Sequence, residues 1–336
     1  MIDVIIPAYN AHDTIEYTIA SIVSQVIKDK IRITIVNDAS PNGDYSKFVK
    51  QFSPYINIQE VKMEVNGGPG TARRVGLEST SNPYVMFIDA DDVYISIFSI
   101  SELYAKMEQN PTVCLITGDF LEELGDGRTV EHKNDMTWVF GKMYRRAYLE
   151  KHNITFSDLR SNEDSELNTR IYLKVRMNND AQIMNYNNNF FYLWRFKSDS
   201  ITKINNFEYS FHTGIIGFIH AKANVIRSEM ANIEQQAILE EIATILVDNY
   251  WQLMLIRKHR PDFPEFYNNV LIELGKFYLE FGEYVNKIPA DAFAAMLVRR
   301  PMQMKETIIP DILFVDYLTL VAQKAEEIKN TQKEEQ

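Results

Sequence analysis

Short apolar runs alternate with amphipathic segments along the N-terminal part of the chain, and this rhythm most constrains the fold. The runs cover residues 4–6, 31–36, 56–61 and 84–88. Their length and their β-branched side chains are typical of buried strands. Residues 14–25 and 72–77 lie between the runs and carry helical periodicity. The order predicts a mostly parallel, Rossmann-like sheet flanked by helices, with ligands at the carboxyl ends of its strands.

Three acidic residues follow the fourth run directly. Asp89, Asp91 and Asp92 stand at the predicted carboxyl end of that strand, separated only by Ala90. Carboxylates this close repel one another, and proteins relieve the repulsion with a bound cation or a salt bridge. A metal ion is therefore the first candidate for this edge of the sheet.

A glycine-rich segment, Asn-Gly-Gly-Pro-Gly-Thr-Ala-Arg-Arg-Val-Gly, occupies residues 66–76. Glycines allow close backbone approach, the helix that follows turns its first amides outward, and Arg73 adds a fork suited to phosphate oxygens. The segment lacks the Gly-Lys-Ser/Thr ending of a Walker A loop and is not at the first βα turn, where a dinucleotide fingerprint belongs. Together with the acids on the next strand, it predicts a phosphate-bearing ligand bridged to the protein by a divalent cation.

Charge, cysteine content and hydropathy narrow the function classes. The 336 residues contain 35 Lys+Arg and 46 Asp+Glu, a net charge of −11, which disfavours a general electrostatic grip on nucleic acid. Cys114 is the only cysteine, so neither an intramolecular disulfide nor a cysteine-based zinc site can form. Neither a signal peptide nor an apolar run long enough to cross a bilayer is recognisable, so we expect a cytoplasmic protein.

The periodicity changes along the chain. Residues 113–117 predict a further strand, residues 164–175 a helix, and the asparagines at 178–179 and 187–189 predict loops. After residue 205 the pattern is helical, with residues 233–254 as its clearest segment. We therefore expect a domain at 1–205 and a helical region at 206–336 that serves acceptor binding, oligomerisation or bracing.

Four motifs together resemble family 2 glycosyltransferases of the GT-A fold. They are the Pro-Ala-Tyr-Asn of residues 7–10, the Asp of Val-Asn-Asp-Ala-Ser at residue 38, the glycine-rich segment 66–76 and the Asp-Ala-Asp of residues 89–91. The resemblance covers residues 1–205. It implies an inverting glycosyltransferase that uses a nucleotide-diphosphate sugar, in this family most often UDP-linked, with Mn²⁺ or Mg²⁺.

The resemblance assigns the donor site residue by residue. Pro7, Ala8 and Tyr9 are expected beside the nucleobase and Asp38 on uracil. The remaining donor-binding residues are expected to be Asn66, Gly67, Arg73, Asp89, Ala90 and Asp91. Arg73 resembles the family arginine near the diphosphate. Asp91 resembles the direct metal ligand, with Asp89 nearer the ribose and the sugar. The sequence departs from the family at Asn37 and Ala39, where Asp and Gly are frequent, and at Arg74, where Asn is frequent.

The catalytic base is expected downstream, where Glu163-Asp164 resembles the family's Glu-Asp motif. An inverting transfer needs one general base on the face of the sugar opposite the departing diphosphate, and Asp164 would take this role. Acids that merely stabilise a helix N-terminus are the alternative interpretation. The sugar and acceptor pocket is expected to involve Asp92, Trp138, Glu163, Trp194 and Arg195. Ser198 and Ser200 belong to the same expected loop as Arg195.

Other functions stay open at this point. The acceptor is expected to be a hydroxyl of a surface or wall polysaccharide or a similar glycan, with hydroxymethylated DNA bases as the alternative. A nucleotidyltransferase also combines a Rossmann-like sheet with acid-held Mg²⁺, but residues 7–13 lack its early glycine-rich loop. A non-catalytic nucleotide-sugar binding module is the third class, which the retained Asp164 disfavours.

Overall fold

The computed structural model describes residues 1–197, 211–261, 264–302 and 307–334, without the side chains of residues 187, 188, 212 and 213. Ser198 and Ser200 therefore lie outside the described residues. Contacts along the backbone divide the chain into two compact units, Met1–Asn205 and Asn206–Gln336. Each unit is described by itself.

The first unit alternates strands and helices, as the sequence predicts. Its N-terminal elements are β1 (Ile2–Ala8), α1 (Ile15–Val23), β2 (Ile31–Asn37), α2 (Ser46–Phe52), β3 (Asn57–Lys62), α3 (Gly68–Glu78), β4 (Tyr84–Phe87), β5 (Val93–Tyr94) and α4 (Ser99–Gln109). They are followed by β6 (Val113–Glu123), β7 (Thr129–His132), β8 (Lys142–Arg145), α5 (Arg146–Lys151), α6 (Glu163–Asn178) and β9 (Gln182–Trp194). The predicted strands and helices of this unit are confirmed, with bounds that differ by a few residues.

The described strands form one nine-stranded sheet in the order β3-β2-β1-β4-β8-β6-β9-β5, with β7 paired to β6. The first four strands of this order pair in parallel, with Ile2 opposite both Ile31 and Tyr84. From β8 onward most pairs are antiparallel, although β6 and β9 run parallel. The α/β class is confirmed, but the described sheet is mixed and not mostly parallel, because four of its eight strand pairings are antiparallel. The parallel part carries the candidate site.

Helix α3 packs very closely on the parallel strands. A Cβ atom at Gly76 would lie 2.4 Å from Ile5 Cγ2 and 3.1 Å from Val36 Cγ2. Any larger residue would force the helix away from the sheet, because cores of this density cannot absorb an added carbon without shifting. Gly76 thus fixes how near the glycine-rich segment comes to the ends of β1 and β2.

Strand β9 contradicts the loop predicted at residues 187–189, because these asparagines fall within Gln182–Trp194. The pairing with β6 explains the misleading signal. Gly118 pairs with Tyr186, and the next residue, Asp119, pairs with Phe190. The three asparagines therefore bulge out of the ladder between two paired segments. At 178–179 the prediction is confirmed, since α6 ends there and Asn179 adopts a left-handed conformation with φ 50°.

The second unit is helical. A turn of π-helix, His212–Ile216, leads into α7 (Gly217–Ser228), and α8 (Gln236–His259), α9 (Pro264–Val285), α10 (Ala290–Met302) and α11 (Phe314–Glu334) follow. Helix α8 confirms the periodicity seen at residues 233–254 and buries fifteen of its side chains. No helix in the described ranges has both the length and the apolar character that a bilayer crossing requires.

Candidate active site

The candidate site lies where β1, β2 and β4 end. The Asp38 amide donates to the Ala8 carbonyl at 2.9 Å and joins the ends of β1 and β2. Ala8 is buried, whereas Tyr9 directly after it is 51% exposed. An exposed aromatic ring at the carboxyl edge of a parallel sheet is placed to stack on a planar ligand. This is the position that the sequence expects for the nucleobase loop.

Asp38 holds the glycine-rich turn in place. Its Oδ1 accepts from the Gly67 amide at 2.7 Å and its Oδ2 from the Gly68 amide at 2.9 Å. Asn66 Nδ2 donates to the Asp38 carbonyl at 3.2 Å. The side chain is buried, and carboxylate oxygens can accept more than one bond each. Asp38 therefore joins the end of β2 to the start of α3. Its carboxylate oxygens can still accept further hydrogen bonds.

The departures from the family pattern around Asp38 have local explanations. Asn37 Oδ1 accepts from the Ser40 amide at 2.9 Å, and its Nδ2 donates to Glu60 Oε1 at 2.9 Å. Ala39 adopts φ 54°, a left-handed conformation in which glycine carries no Cβ penalty. The frequent glycine of the family at this position suits the required backbone, and alanine adopts it under strain.

Arg73 bridges two distant parts of the chain. Its Nη1 donates to Glu163 Oε1 at 2.5 Å, and its Nη2 donates to Asp89 Oδ1 at 2.6 Å. Burial alone would lower the pKa of Arg73, but Asp89, Glu163 and Asp164 outweigh it, and the pKa is raised. The guanidinium therefore stays charged and ties the end of β4 to the first turn of α6.

The expected contact between Arg73 and a diphosphate finds no support in this geometry. The Arg73 side chain is only 4% exposed, and both terminal nitrogens are engaged by carboxylates. The sequence signal was ambiguous because a guanidinium fork fits carboxylates and phosphates equally well. Arg73 instead brings the acid turn and the Glu163-Asp164 pair into one site.

The acid turn after β4 is held by β9. The Asp92 amide donates to the Asp89 carbonyl at 3.1 Å. Asp92 is fully buried, and it accepts from the Tyr192 hydroxyl at 2.5 Å and from the Arg195 amide at 2.8 Å. Burial and then the neighbouring Asp91 and Asp89 raise the pKa of Asp92. Asp92 thus secures the turn and is not presented to a ligand.

Asp91 differs from its two neighbours. No side-chain hydrogen bond to its carboxylate is found within the described ranges. Burial and the charge of Asp89 raise the pKa of Asp91 to about 6, although Lys197 and Arg195 act against this rise. A cation bound to this carboxylate would offset both the burial and the charge of Asp89, and would lower the pKa of Asp91 again. The sequence reasoning missed Lys197, which follows β9 and has no motif of its own.

The acid turn fits a divalent metal only together with a ligand. No group of three or more metal-binding side chains occurs in the part of the chain that is described. Mg²⁺ and related hard cations are commonly held by one or two carboxylates while substrate phosphates and waters complete the coordination. Asp91 and the second oxygen of Asp89, whose side chain is 30% exposed, match this donor set. The residues present therefore fit a metal that arrives with a diphosphate.

Helix α6 delivers Glu163 and Asp164 to the same site. Asn162 precedes the helix with φ 63°, and the Ser165 amide donates to Asp164 Oδ1 at 2.8 Å. Burial and then the charge of Glu163 raise the pKa of Asp164 to about 8, although Arg73 lowers it. Asp89 also acts on Asp164, so the acid turn and Asp164 share one electrostatic environment. A carboxyl group with a pKa near neutrality is suited to taking up a proton.

Glycine permits the approach of α3 to the α6 segment. A Cβ atom at Gly70 would lie 2.7 Å from the Ser157 carbonyl oxygen and 2.9 Å from Glu163 Cγ. Contacts this short to backbone cannot be relieved by a rotamer change, so a larger residue would push the two segments apart. Gly70 and Arg73, one helical turn apart, therefore locate Glu163 and Asp164 against the glycine-rich segment.

An aromatic group adjoins the site. Trp138 stacks on Phe140 with ring centroids 5.5 Å apart and lies 5.1 Å from Trp194. Phe140 stacks in turn on Tyr192 at 4.7 Å. Phe140 and Tyr192 are buried, and Trp138 and Trp194 are half-buried. The two indoles therefore form the accessible end of an aromatic stack whose inner end contacts the acid turn through Tyr192.

Arg195 lies at the end of β9, where its guanidinium stands over the Tyr17 ring with 5.3 Å to the centroid. It is half-buried. Its amide secures Asp92, and its charge acts on Asp91. The structure thus brings Arg195 to the acid turn, and its expected role in the sugar and acceptor pocket stays a prediction.

Sequence comparisons relate the chain to known glycosyltransferases. Residues 3–161 match the model of glycosyl transferase family 2. The chain is 27% identical over 228 residues to the uncharacterized glycosyltransferase EpsJ of Bacillus subtilis, an alignment that covers 61% of this chain and 63% of that protein. It is 26% identical over 187 residues to the poly(ribitol-phosphate) beta-N-acetylglucosaminyltransferase TarS of Staphylococcus aureus, covering 51% of this chain and 32% of TarS.

Solved structures share the fold. Residues 1–349 of TarS in complex with UDP-GlcNAc superpose with a TM-score of 0.69 at 17% identity, covering 100% of this chain and 92% of that one. A mannosyltransferase from Pyrobaculum calidifontis, in complex with GDP-Man and Mn²⁺, gives a TM-score of 0.55 at 16% identity, covering 98% of this chain and 86% of that one. The chain spans less than two thirds of the length of its sequence relatives. Residues 3–161 therefore resemble glycosyl transferase family 2, and the chain shares the fold of these solved glycosyltransferase structures.

Proposed function

We propose that the protein is an inverting glycosyltransferase that moves a sugar from a UDP-sugar to a hydroxyl group of a wall or surface glycan. One observation carries the proposal. The Arg73 guanidinium binds Asp89 and Glu163 at once, so the candidate metal site and the candidate base belong to one site. A nucleotidyltransferase or a passive binding module has no need of a buried, near-neutral carboxyl group beside the acid turn.

The donor site is assembled from the sheet edge. Tyr9 offers an exposed ring for the uracil, and Asp38 fixes the loop beside it. The donor in the TarS complex is UDP-GlcNAc, which supports a UDP-linked sugar here. Arg195 and Lys197 supply positive charge next to Asp91 and are suited to the diphosphate oxygens.

Asp91, with Asp89, would hold Mn²⁺ or Mg²⁺ against the diphosphate. When bound, the cation neutralises the negative charge of the departing nucleotide, its Lewis-acid role. Support comes from the donor set of the acid turn and from the Mn²⁺ in the fold neighbour from Pyrobaculum calidifontis. Sugar transfer is therefore expected to require Mn²⁺ or Mg²⁺.

Asp164 acts as the general base. The acceptor O–H bond breaks and its proton passes to the Asp164 carboxylate, while the acceptor oxygen forms a bond to the anomeric carbon. The bond from that carbon to the diphosphate oxygen breaks, and its electron pair leaves with the nucleotide. Because attack and departure occur on opposite faces, the anomeric configuration inverts. Asp164 must be deprotonated to work, so activity should rise with pH toward about 8, the pKa raised by burial.

The acceptor assignment rests on the relatives. TarS acts on poly(ribitol-phosphate), as its name states, and Trp138 and Trp194 present rings that suit a sugar face. We therefore propose a wall polymer or similar glycan as the acceptor. A role of the helical unit in acceptor binding or self-association and a cytoplasmic location stay predictions.

The first experiment separates donor binding from transfer. Thermal stability is measured with each UDP-sugar, with and without Mn²⁺, because a ligand that binds the folded state raises its stability. We expect stabilisation by UDP plus Mn²⁺ that Asp91→Asn weakens. The exposed Asp158→Asn serves as the control.

Transfer is then measured with the stabilising donor and a panel of acceptors. Asp164→Asn should abolish transfer and leave stabilisation by UDP plus Mn²⁺ intact. If Asp164→Asn transferred sugar at the wild-type rate, the assignment of the base would be wrong. If no UDP-sugar stabilised the wild-type protein, the proposed donor class would be wrong.

A further inference from the structure

Lys142 is a buried cation that the proposed mechanism does not yet use. It opens strand β8 and is 0% exposed. No hydrogen-bond partner of its ammonium group is found within residues 1–197, 211–261, 264–302 and 307–334. Burying a charge without a partner is costly, and proteins retain such groups where a nearby opposite charge compensates. A negatively charged group is therefore expected near Lys142.

The strand and helix geometry places Lys142 beside the first turn of α6. Lys142 and Tyr144 lie on the same face of β8 because side chains alternate along a strand. The Tyr144 hydroxyl donates to Asn168 Oδ1 at 3.0 Å. Asn168 follows Asp164 by four residues, about 6 Å along the helix, and two strand residues span about 7 Å. Strand β8 runs antiparallel to β4, with Tyr144 opposite Val85, so Lys142 lies toward the carboxyl end of β4. Arg73 ties that end of the sheet to the first turn of α6, which carries Asp164.

The charged groups around Lys142 agree with this placement. Burial lowers the pKa of Lys142 to about 8, while Asp135 and Asp164 act to raise it. Asp135 lies in the segment before β8, and its Oδ1 already accepts from the amides of Thr137 and Trp138. Asp164 is thus the second acid that acts on Lys142, and it comes from α6, the helix whose Asn168 binds Tyr144 of β8.

The other neighbours of Asp164 show what Lys142 contributes. Glu163 and Asp89 disfavour the charged form of Asp164, and Arg73 favours it. Arg73, however, is shared between Glu163 and Asp89 through its two terminal nitrogens. An attraction between two opposite charges acts on both groups, so a charged Lys142 favours the charged form of Asp164.

We propose that Lys142 is a positioning residue that holds the Asp164 carboxylate in its charged, proton-accepting form from the buried side of α6. It touches neither donor nor acceptor. The inference rests on the proposed function, in which Asp164 takes the acceptor proton, and it assigns the control of that step to one residue of β8.

The test is the pH profile of transfer. Lys142→Met removes the charge and keeps the length of the side chain, and Lys142→Arg keeps the charge. Initial rates are measured from pH 6 to pH 10 with saturating donor and Mn²⁺. The control is Lys133→Met, whose side chain is 45% exposed and pairs with Glu131.

We expect the acid limb of the Lys142→Met profile to move up by about one pH unit, which lowers the rate about tenfold on that limb. The rate should recover toward the wild-type value at high pH, where Asp164 is deprotonated in both proteins. Lys142→Arg should lie nearer the wild type, and Lys133→Met should superpose on it. A Lys142→Met profile that superposes on the wild type, or falls equally at every pH, would overturn the proposal.

A second measurement does not depend on activity or on the folding of Lys142→Met. The titration of the Lys142 ammonium group is followed by NMR in protein labelled at the lysine side chains, in the wild type and in Asp164→Asn. Loss of the negative neighbour should move the Lys142 midpoint to lower pH, and an unchanged midpoint would refute the coupling. A wild-type protein that transferred no sugar would count against the proposed function alone, since this coupling is measured without substrate.

Discussion

Adjacent arginines on α3 offer a direct test of how the site is held together. Arg73→Met removes a guanidinium that is 4% exposed and binds two carboxylates at 2.5 and 2.6 Å. Arg74→Met removes one that is 31% exposed and pairs at 2.6 Å with Asp158, itself 74% exposed. The two substitutions are chemically identical and lie on the same helix. The two sites differ in burial and in the number of carboxylates bound, which is two for Arg73 and one for Arg74.

The expected magnitudes differ accordingly. Breaking a buried ion pair costs about 3–5 kcal/mol because the partner charges stay buried without compensation. An exposed pair contributes about 0–1 kcal/mol. A domain of this size loses about 2–4 °C of melting temperature per kcal/mol. Arg73→Met should therefore lower the melting temperature by about 6–20 °C, and Arg74→Met by less than about 4 °C.

Thermal unfolding followed by circular dichroism at several pH values provides the assay. If electrostatics dominate, the deficit of Arg73→Met should shrink at acidic pH, because protonation removes the charges left on Asp89 and Glu163. A large deficit that does not change with pH would point to lost packing against Phe156, whose ring centroid lies 5.9 Å from the Arg73 guanidinium carbon. Equal, small losses in both variants would refute the bridging role of Arg73.

Three further predictions follow from individual residues. Asp164→Asn should become more stable than the wild type as pH rises from about 4 to about 8. Over this window the native Asp164 keeps a proton that the unfolded chain releases, because its pKa is raised from 3.8 to about 8. Melting temperatures measured across this pH range, with the exposed Asp13→Asn as control, would show this. A difference between Asp164→Asn and the wild type that does not change with pH would contradict it. Ala39→Gly should stabilise the protein by up to about 1 kcal/mol by relieving the left-handed backbone, whereas Ala105→Gly, inside α4, should destabilise it by about as much. The midpoints of denaturant unfolding compare the stabilities of these two variants, and a loss of stability in Ala39→Gly would refute the proposed backbone strain. Tyr9→Ala should weaken UDP binding by about 1–3 kcal/mol without a change in melting temperature. Calorimetry compares UDP binding by Tyr9→Ala with UDP binding by the control Tyr55→Ala, which removes a ring that is 59% exposed. Equal affinities of the two variants for UDP would refute stacking.

The parallel half of the fold could be predicted because its signals are local. Each apolar run fits one strand, as Tyr84–Phe87 does, and the acids come where that strand ends. Residues 187–189 show the limit of local signals. Their composition indicates a loop, yet pairing with β6 on both sides draws the segment into β9 as a bulge. Tertiary pairing overrides local preference there.

The partners within the site could not be predicted because they are distant in sequence. Arg73 binds Asp89 sixteen residues away and Glu163 ninety residues away, and nothing in the pattern distinguishes these partners from a phosphate. The role of Lys142 could not be predicted either, since a single lysine at the start of a short strand has no spacing to recognise. Its burial becomes visible only when β8 is placed between β4 and β6.

The five acids of the site can nevertheless be separated by what compensates each of them. Hydrogen bonds or ion pairs from other side chains engage three of them, namely Asp92 through Tyr192, and Asp89 and Glu163 through Arg73. Asp91 and Asp164 have no ion pair at hydrogen-bond distance among the described residues, and burial raises the pKa of Asp91 to about 6 and that of Asp164 to about 8. Such carboxylates are expensive to maintain and are typical of functional positions. The proposed reaction requires one carboxylate for a cation and another for a proton, and these are the two that have no side-chain partner at hydrogen-bond distance among the described residues.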